Sequence, residues 1–348
     1  MSTPEEPAIE ASAPASQRTE RREVPWALVE TLFFKDRGSV VAEGASRRYF
    51  TRLLRTRLAQ ETMRGPHVAR SLQAIVDDCV AAARPVVRAV HSPVSPPLRV
   101  LAVPVLDGTD AVMGVQLWGG PRRVQPPPRP LVATLTWDSR TQLLTGSASL
   151  EQLLGTGEDR SRSRALPDFL RHFEQIDRTG LLRLFDPQLE PDTWSSTAVS
   201  AGQGDGIRRH LHFAARSDGF GQVRALVHDI GTASETPTPQ LQSLLLRAVP
   251  LSPDHAVGVM DLRTGLIHEW LAPASSPLHR ATVEVPRIHP DDIGDCVRVR
   301  KELLAGATHR HIDIRVSFDQ QQWLHLSVHW HVLARGTVPQ AMWSVLLR

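Results

Sequence analysis

Between Val285 and Leu333 the apolar positions change period once, and the change separates a helix from a pair of strands. The stretch opens with Ile288-His289-Pro290-Asp291-Asp292. Proline suits an early helix position, where its missing N–H has no intrahelical partner, and aspartates suit the positive end of a helix, so a helix begins close to Asp291. Val297, Lys301 and Leu304 follow at helical spacing until Ala305-Gly306, a natural stop. Beyond it the period is two. Ile312, Ile314, Val316 and Phe318 alternate with polar residues, as do Leu324, Leu326, Val328 and Trp330, with Asp319-Gln320-Gln321-Gln322 between the runs. This predicts an antiparallel hairpin with one apolar face.

The same reading covers the rest of the chain. Residues Met1–Glu23 carry almost no large apolar side chains and predict a disordered tail. A stripe of Tyr49, Phe50, Leu53, Leu54 and Leu58 predicts a helix near Arg47–Met63, and Leu72, Ile75, Val76, Cys79 and Val80 predict another near Val68–Ala83. Strands follow at Val86–Val90, Leu98–Leu106 and Ala111–Trp118, the last two joined by the turn Asp107-Gly108-Thr109-Asp110. Arg122–Pro130 is a proline-rich spacer, expected to be extended and semi-rigid.

From Leu131 the chain repeats itself. Leu135–Thr141 matches Gly258–Thr264, each an apolar strand entering an Asp-x-Arg-Thr turn, and Asp177–Arg183 aligns with Asp292–Arg298. His210-Leu211-His212-Phe213 aligns with Trp323-Leu324-His325-Leu326. Two diverged copies of one domain follow, separated by the polar stretch Gly231–Gln240. The expected organisation is a tail over 1–23, domains over 24–120, 131–231 and 245–348, and linkers over 121–130 and 232–244. Ala341–Leu347 is then the last strand, with no output domain after it.

The order turn, helix, long hairpin resembles the C-terminal half of a PAS sensor domain, a likeness carried by His289–Asp292 and Trp323–His325. The first domain is similar to the PAS/GAF superfamily in architecture alone. The resemblance implies an α+β fold of three consecutive PAS/GAF-like domains, each a mainly antiparallel sheet with flanking helices. It also implies a ligand pocket between helices and sheet, and association as a homodimer. Nothing matches the cysteine-centred stretch of flavin photosensors in that family. A haem would need an inward histidine, for which His268, His279 and His289 are candidates, each also readable as an ordinary polar or capping residue. The cofactor stays unknown.

Composition narrows the function. Net charge is +3 and 22% of residues are charged, which gives no basic surface for nucleic acid. Lys35 and Lys301 are the two lysines and asparagine is absent, the mark of a GC-rich coding bias. Arginine-mediated nucleic-acid binding is the weakest reading. The cysteines, Cys79 and Cys296, sit in predicted helices with no metal or disulfide spacing. No signal segment and no apolar run of about 18 residues appears, so a cytoplasmic protein without membrane contact is expected. A phosphate loop with lysine, a Gly-x-Ser-x-Gly elbow and a His-Glu-x-x-His motif are all missing.

Two readings of function remain. In the first, the chain is a non-catalytic sensor that binds a small ligand or protein and signals to a separate output protein. Its pocket is placed in the third domain, with Trp270, Trp323, Trp330 and His289 as candidate ligand contacts. In the second, His309, His311, Asp313, His329 and His331 share the polar face of the C-terminal hairpin and bind a metal or run an enzyme. Cross-strand partners on that face stand about 4.5–5.5 Å apart at Cβ. The opposing possibility is a polar outer sheet face that happens to be rich in histidine.

Overall fold

Alternating apolar residues build the strands of this chain, and the computed structural model arranges them in three curled antiparallel sheets. It describes residues 24–33, 38–61, 66–92, 95–157, 162–186, 193–202, 204–233, 251–318 and 322–348. The expected tail, most of the expected second linker and the tip of the C-terminal hairpin lie outside the described residues.

In the first unit, β1 (Ala27–Glu30), β2 (Ser39–Glu43), β3 (Ser46–Arg52), β4 (Val86–Ser92), β5 (Ser95–Leu106) and β6 (Val112–Pro121) form a sheet of order β3-β2-β1-β6-β5-β4. The short α1 (Arg57–Glu61) and longer α2 (Pro66–Ala82) accompany it. Leu72, Val76 and Cys79 of α2 meet Val29, Val100, Val115 and Leu117 in its core. Burial lifts the Cys79 thiol to about 11.

The second unit contains β7 (Val132–Asp138), β8 (Leu143–Gly146), α3 (Ala148–Leu154), β9 (Arg162–Ala165), α4 (Leu166–Leu170) and β10 (Phe173–Ile176). It continues through α5 (Arg178–Leu184), β11 (Thr193–Ser200), β12 (Arg209–Ser217) and β13 (Gln222–Thr232). The third contains β14 (His255–Asp261), β15 (Ile267–Leu271), β16 (Arg287–Ile288), α6 (Pro290–Leu304), β17 (His309–Ser317), β18 (Leu324–Ala334) and β19 (Gln340–Leu347). Their sheets run β10-β11-β12-β13-β7-β8-β9 and β15-β14-β19-β18-β17-β16. These are one path, with β9 added to the second unit, so the repeat in the sequence has a counterpart in strand order. The Asp-x-Arg-Thr turns also coincide. Asp138 Oδ1 accepts from the Arg140 N–H at 2.7 Å and Asp261 Oδ1 from the Arg263 N–H at 3.0 Å.

The expectation of an α+β class with PAS/GAF-like domains and flanking helices is overturned. Strands hold 47% and helices 22% of the described residues, so this is a β-dominated chain of three curled sheets. Part of the difference lies in residues 47–52, expected as helix and found in β3. Tyr49 is 67% exposed and its hydroxyl meets Thr193 of the second unit at 3.3 Å. Phe50 lies under the Arg216 guanidinium, also from the second unit. These side chains mimic a helical stripe because they serve a contact between units rather than one face of one element. The proline-rich spacer is held against the first unit. The Trp26 indole N–H donates to the Pro127 carbonyl at 2.9 Å and the Gln116 amide to that of Pro130 at 2.8 Å, so the segment is fastened to the first sheet.

First and second units meet sheet to sheet. Leu28, Leu32, Val41 and Met113 pack with Ala214 and Leu226. A Cβ at Gly114 would stand 2.8 Å from the Leu226 side chain and 2.9 Å from the Val29 carbonyl, so this approach requires glycine. Within the same contact, the buried Glu30 carboxylate receives Arg216 Nη2 at 2.8 Å.

Candidate functional site: a cavity between the second and third units

Helix α4 packs against β15, and the Arg178–Glu269 ion pair at 2.8 Å, mostly buried, fastens the same junction. Leu266 of the third unit sits in the core of the second. Beside this contact lies a cavity of about 580 Å³, within the range that encloses small organic ligands. The second unit supplies Arg140, Thr141, Leu166 and Pro167, and the third supplies Met260, Ile267, Cys296, Ile314, Val316, Trp330 and Trp343. Both Asp-x-Arg-Thr turns reach it, through Arg140–Thr141 on one side and Thr264 on the other.

The strands that present these side chains follow from alternation. Ile314, Val316, Trp330 and Trp343 occupy inward positions of β17, β18 and β19, with Trp330 opposite Trp343. Helix α6 adds Cys296, and its start is built as expected: His289 is the cap residue, its Nδ1 accepting from the Asp291 N–H at 3.3 Å, and Pro290 follows. Asp292 then accepts from the Arg315 backbone N–H at 2.7 Å and its Nε at 3.0 Å, which ties the helix to β17 and holds the Asp292 carboxyl below the usual range.

The cavity wall is mainly apolar, and Arg300 and Glu284 on it are paired. Arg300 donates Nε to the Leu262 carbonyl at 2.9 Å, also bonds the Arg263 carbonyl, and lies in the field of Asp261. Glu284 is paired with Arg280 at 2.9 Å. Burial, before the nearby Asp292 and Asp295 charges, lifts the Cys296 thiol to about 11, so it stays protonated and poorly nucleophilic at neutral pH. Arg140, with its side chain 85% exposed, and Arg287 stand at the mouth.

Of the four predicted ligand contacts, Trp330 alone lines the cavity. Trp270 is buried in the same core but donates its N–H to the Leu278 carbonyl at 2.9 Å. His289 serves as the α6 cap, and Trp323 packs edge-on against its ring with centroids 4.6 Å apart. The other two histidines considered for haem are also outside the cavity lining. His268 is buried in β15, its pKa lowered to about 3 by burial and then by the Arg178 charge, and His279 Nδ1 lies 3.3 Å from the Ala272 carbonyl. Sequence reasoning did not assign Cys296 or the Arg140–Thr141 turn to a site. The repeated Asp-x-Arg-Thr motif was the available signal, since two copies of a turn can face one another only if the two units dock.

The histidine face exists in an even register: His309 pairs with His331, His311 with His329, and Asp313 with Ser327. The His311 and His329 rings stack with centroids 4.4 Å apart, and those of His309 and His331 at 6.2 Å. All five predicted metal residues are exposed. His311 Nε2 bonds the Ser327 hydroxyl at 2.8 Å and Asp313 pairs with Arg348 at 3.1 Å. Among the described residues, no group of three or more His, Cys, Asp or Glu side chains is arranged to hold a metal ion. No helix of the described residues is long and apolar enough to cross a membrane.

Residues 25–128 match the family model described as Rv3651-like, N-terminal, which spans the first unit and most of the proline-rich segment. A crystal structure of an uncharacterized protein from Mycobacterium tuberculosis is similar over 93% of this chain and 96% of that one, at 20% identity and a TM-score of 0.68. The fold is therefore shared along nearly the whole chain. An RNA-binding light-oxygen-voltage receptor aligns with 62% of this chain and 95% of its own at 12% identity, with a TM-score of 0.23. No curated protein matches.

Proposed function

We propose that this chain is a non-catalytic regulatory protein whose inter-unit cavity takes one small, mostly apolar ligand, and whose response is read by a separate protein. The observation that carries the reading is the origin of the cavity wall in both units. A ligand there contacts Leu166 and Thr141 on one side and Ile314 and Trp330 on the other, so its binding energy bears on how the two units sit together. A protonated thiol, with Arg300 and Glu284 both paired, gives the wall the chemistry of a receptor rather than of a reaction centre.

The test uses Nile red, a neutral dye that brightens in apolar surroundings. It should bind saturably, one molecule per chain, and raise the unfolding temperature. Ile293, 48% exposed on α6 and part of the wall, and Thr141, exposed on the opposite unit, are positions where change spares the core. Ile293→Glu and Thr141→Trp should each weaken dye binding by about tenfold or more, through a charge or bulk at the mouth. Undiminished binding in both variants would place the dye elsewhere and end this reading.

A further inference from the structure

Gln142 ends the Asp-x-Arg-Thr turn of the second unit in the left-handed region, at φ 56°. In the repeated turn its place is taken by Gly265, at φ 79°. Each donates its backbone N–H to the carbonyl of the turn's aspartate at 2.8 Å, so the two turns share one geometry. Glycine adopts that geometry freely, whereas the Cβ of a glutamine is crowded in it. The second unit thus keeps a side chain where its backbone would be better served by none. That side chain is half-buried on the cavity wall, and its amide has no partner among the described residues.

A left-handed residue is not by itself a site, because Ala83 and Asp110 share the conformation away from the cavity. Here it coincides with an unengaged cation on the same wall. Of the charged residues there, Glu284 is held by Arg280, Arg140 by Asp138 at 3.2 Å, and Arg300 by two backbone carbonyls. Arg287, exposed in β16 of the third unit, has no acceptor among the described residues. The wall therefore offers one guanidinium and one carboxamide, from different units, both open to solvent and to a ligand. Beyond them it is apolar, through Met260, Ile314 and Val316. One free cation matches one negative charge, and the planar fork of a guanidinium matches a carboxylate. A carboxylate stopped at the mouth also keeps part of its hydration while the rest of the molecule is buried.

We propose that the ligand is an amphiphile with one terminal carboxylate, of the fatty-acid class. Its carboxylate accepts from the Arg287 guanidinium and the Gln142 amide, and its apolar body fills the cavity. The inference rests on the cavity being a receptor site, and its test separates the two claims. Decanoate, 1-decanol and decylammonium, of one chain length and below their micellar concentrations, are compared by equilibrium dialysis against the full chain. Decanoate should bind about tenfold tighter than decanol, the worth of hydrogen bonds to a charged group, and decylammonium should bind least. Arg287→Gln should bring decanoate to within about twofold of decanol and leave decanol itself unchanged. Gln142→Gly should weaken decanoate by about threefold and spare decanol. The unfolding temperature of that variant should not fall, because glycine suits the turn.

Equal or tighter binding of decanol or decylammonium overturns the inference and leaves the receptor reading in place. A preference for decanoate that survives Arg287→Gln, or that Gln142→Gly leaves intact, overturns it by moving the headgroup elsewhere. A lower unfolding temperature in Gln142→Gly makes that side chain structural and overturns its role. Retention of none of the three overturns the inference, and the receptor reading falls with it only if Nile red is also unbound.

Discussion

His212 and His228 face one another across β12 and β13, ring centroids 5.0 Å apart and edge to face, on the side of the second sheet that also carries Ala214 and Leu226. Both are nearly inaccessible, at 0% and 2%. His212 Nε2 bonds the Ser195 hydroxyl at 2.8 Å. Burial lowers the His212 pKa to about 4, helped by the Arg47 charge, and lowers that of His228 to about 3, helped by His212. Both are therefore neutral in the fold, while the unfolded chain protonates them below about 6.5. Because the folded values are the lower ones, the unfolded state binds more protons between about 6.5 and about 4, and stability falls as pH falls through that window. The slope is about 1.4 kcal/mol per pH unit for each histidine. Urea midpoints at about pH 7.5 and about pH 5 should differ accordingly, and His228→Phe should remove about a third of the dependence, because His268 is lowered in the same way. An unchanged midpoint would mean that the pair is hydrated in solution.

At the scale of elements, α6 tests how much local sequence specifies. His289, Pro290, Asp291 and Asp292 were readable as a helix start, and the helix runs Pro290–Leu304. Its other end shows what local sequence leaves out. Arg335, some thirty positions on, donates to the carbonyls of Leu303, Gly306 and Ala307 and so closes the helix from the connection after β18. Asp292→Ala should cost about 1.5–3 kcal/mol, the worth of hydrogen bonds to a charged group, because it frees the helix start from Arg315. Chemical denaturation reads the loss directly, and a change within error would make the tie dispensable. The hairpin β17–β18 and its histidine face were equally legible, since period-two alternation fixes which residues share a side. The β3 segment and the cavity were not. Tyr49 and Phe50 find their partners in another unit, and the cavity needs Thr141 and Trp330, far apart in the chain, to lie on one wall. Periodicity carries no information about either.

Over the whole molecule, buried ion pairs hold the units in register. Glu30, 3% exposed, takes Arg216 and also accepts backbone N–H bonds from Leu32 at 3.2 Å and Ser39 at 3.3 Å. Arg216→Ala leaves that carboxylate buried without its cation and should cost about 3–5 kcal/mol. Adding Glu30→Gln should return part of the loss, which a double-mutant cycle on urea midpoints measures. Additive losses would show the two side chains to be uncoupled. The shared wall between the second and third units has a different consequence. Binding equilibria are reciprocal. A ligand that favours the docked arrangement resists any partner that pries the units apart, and that partner must expel the ligand by the same factor. Such a partner would thus act as a release factor for the cargo without touching the cavity, and the cargo's off-rate would report its arrival.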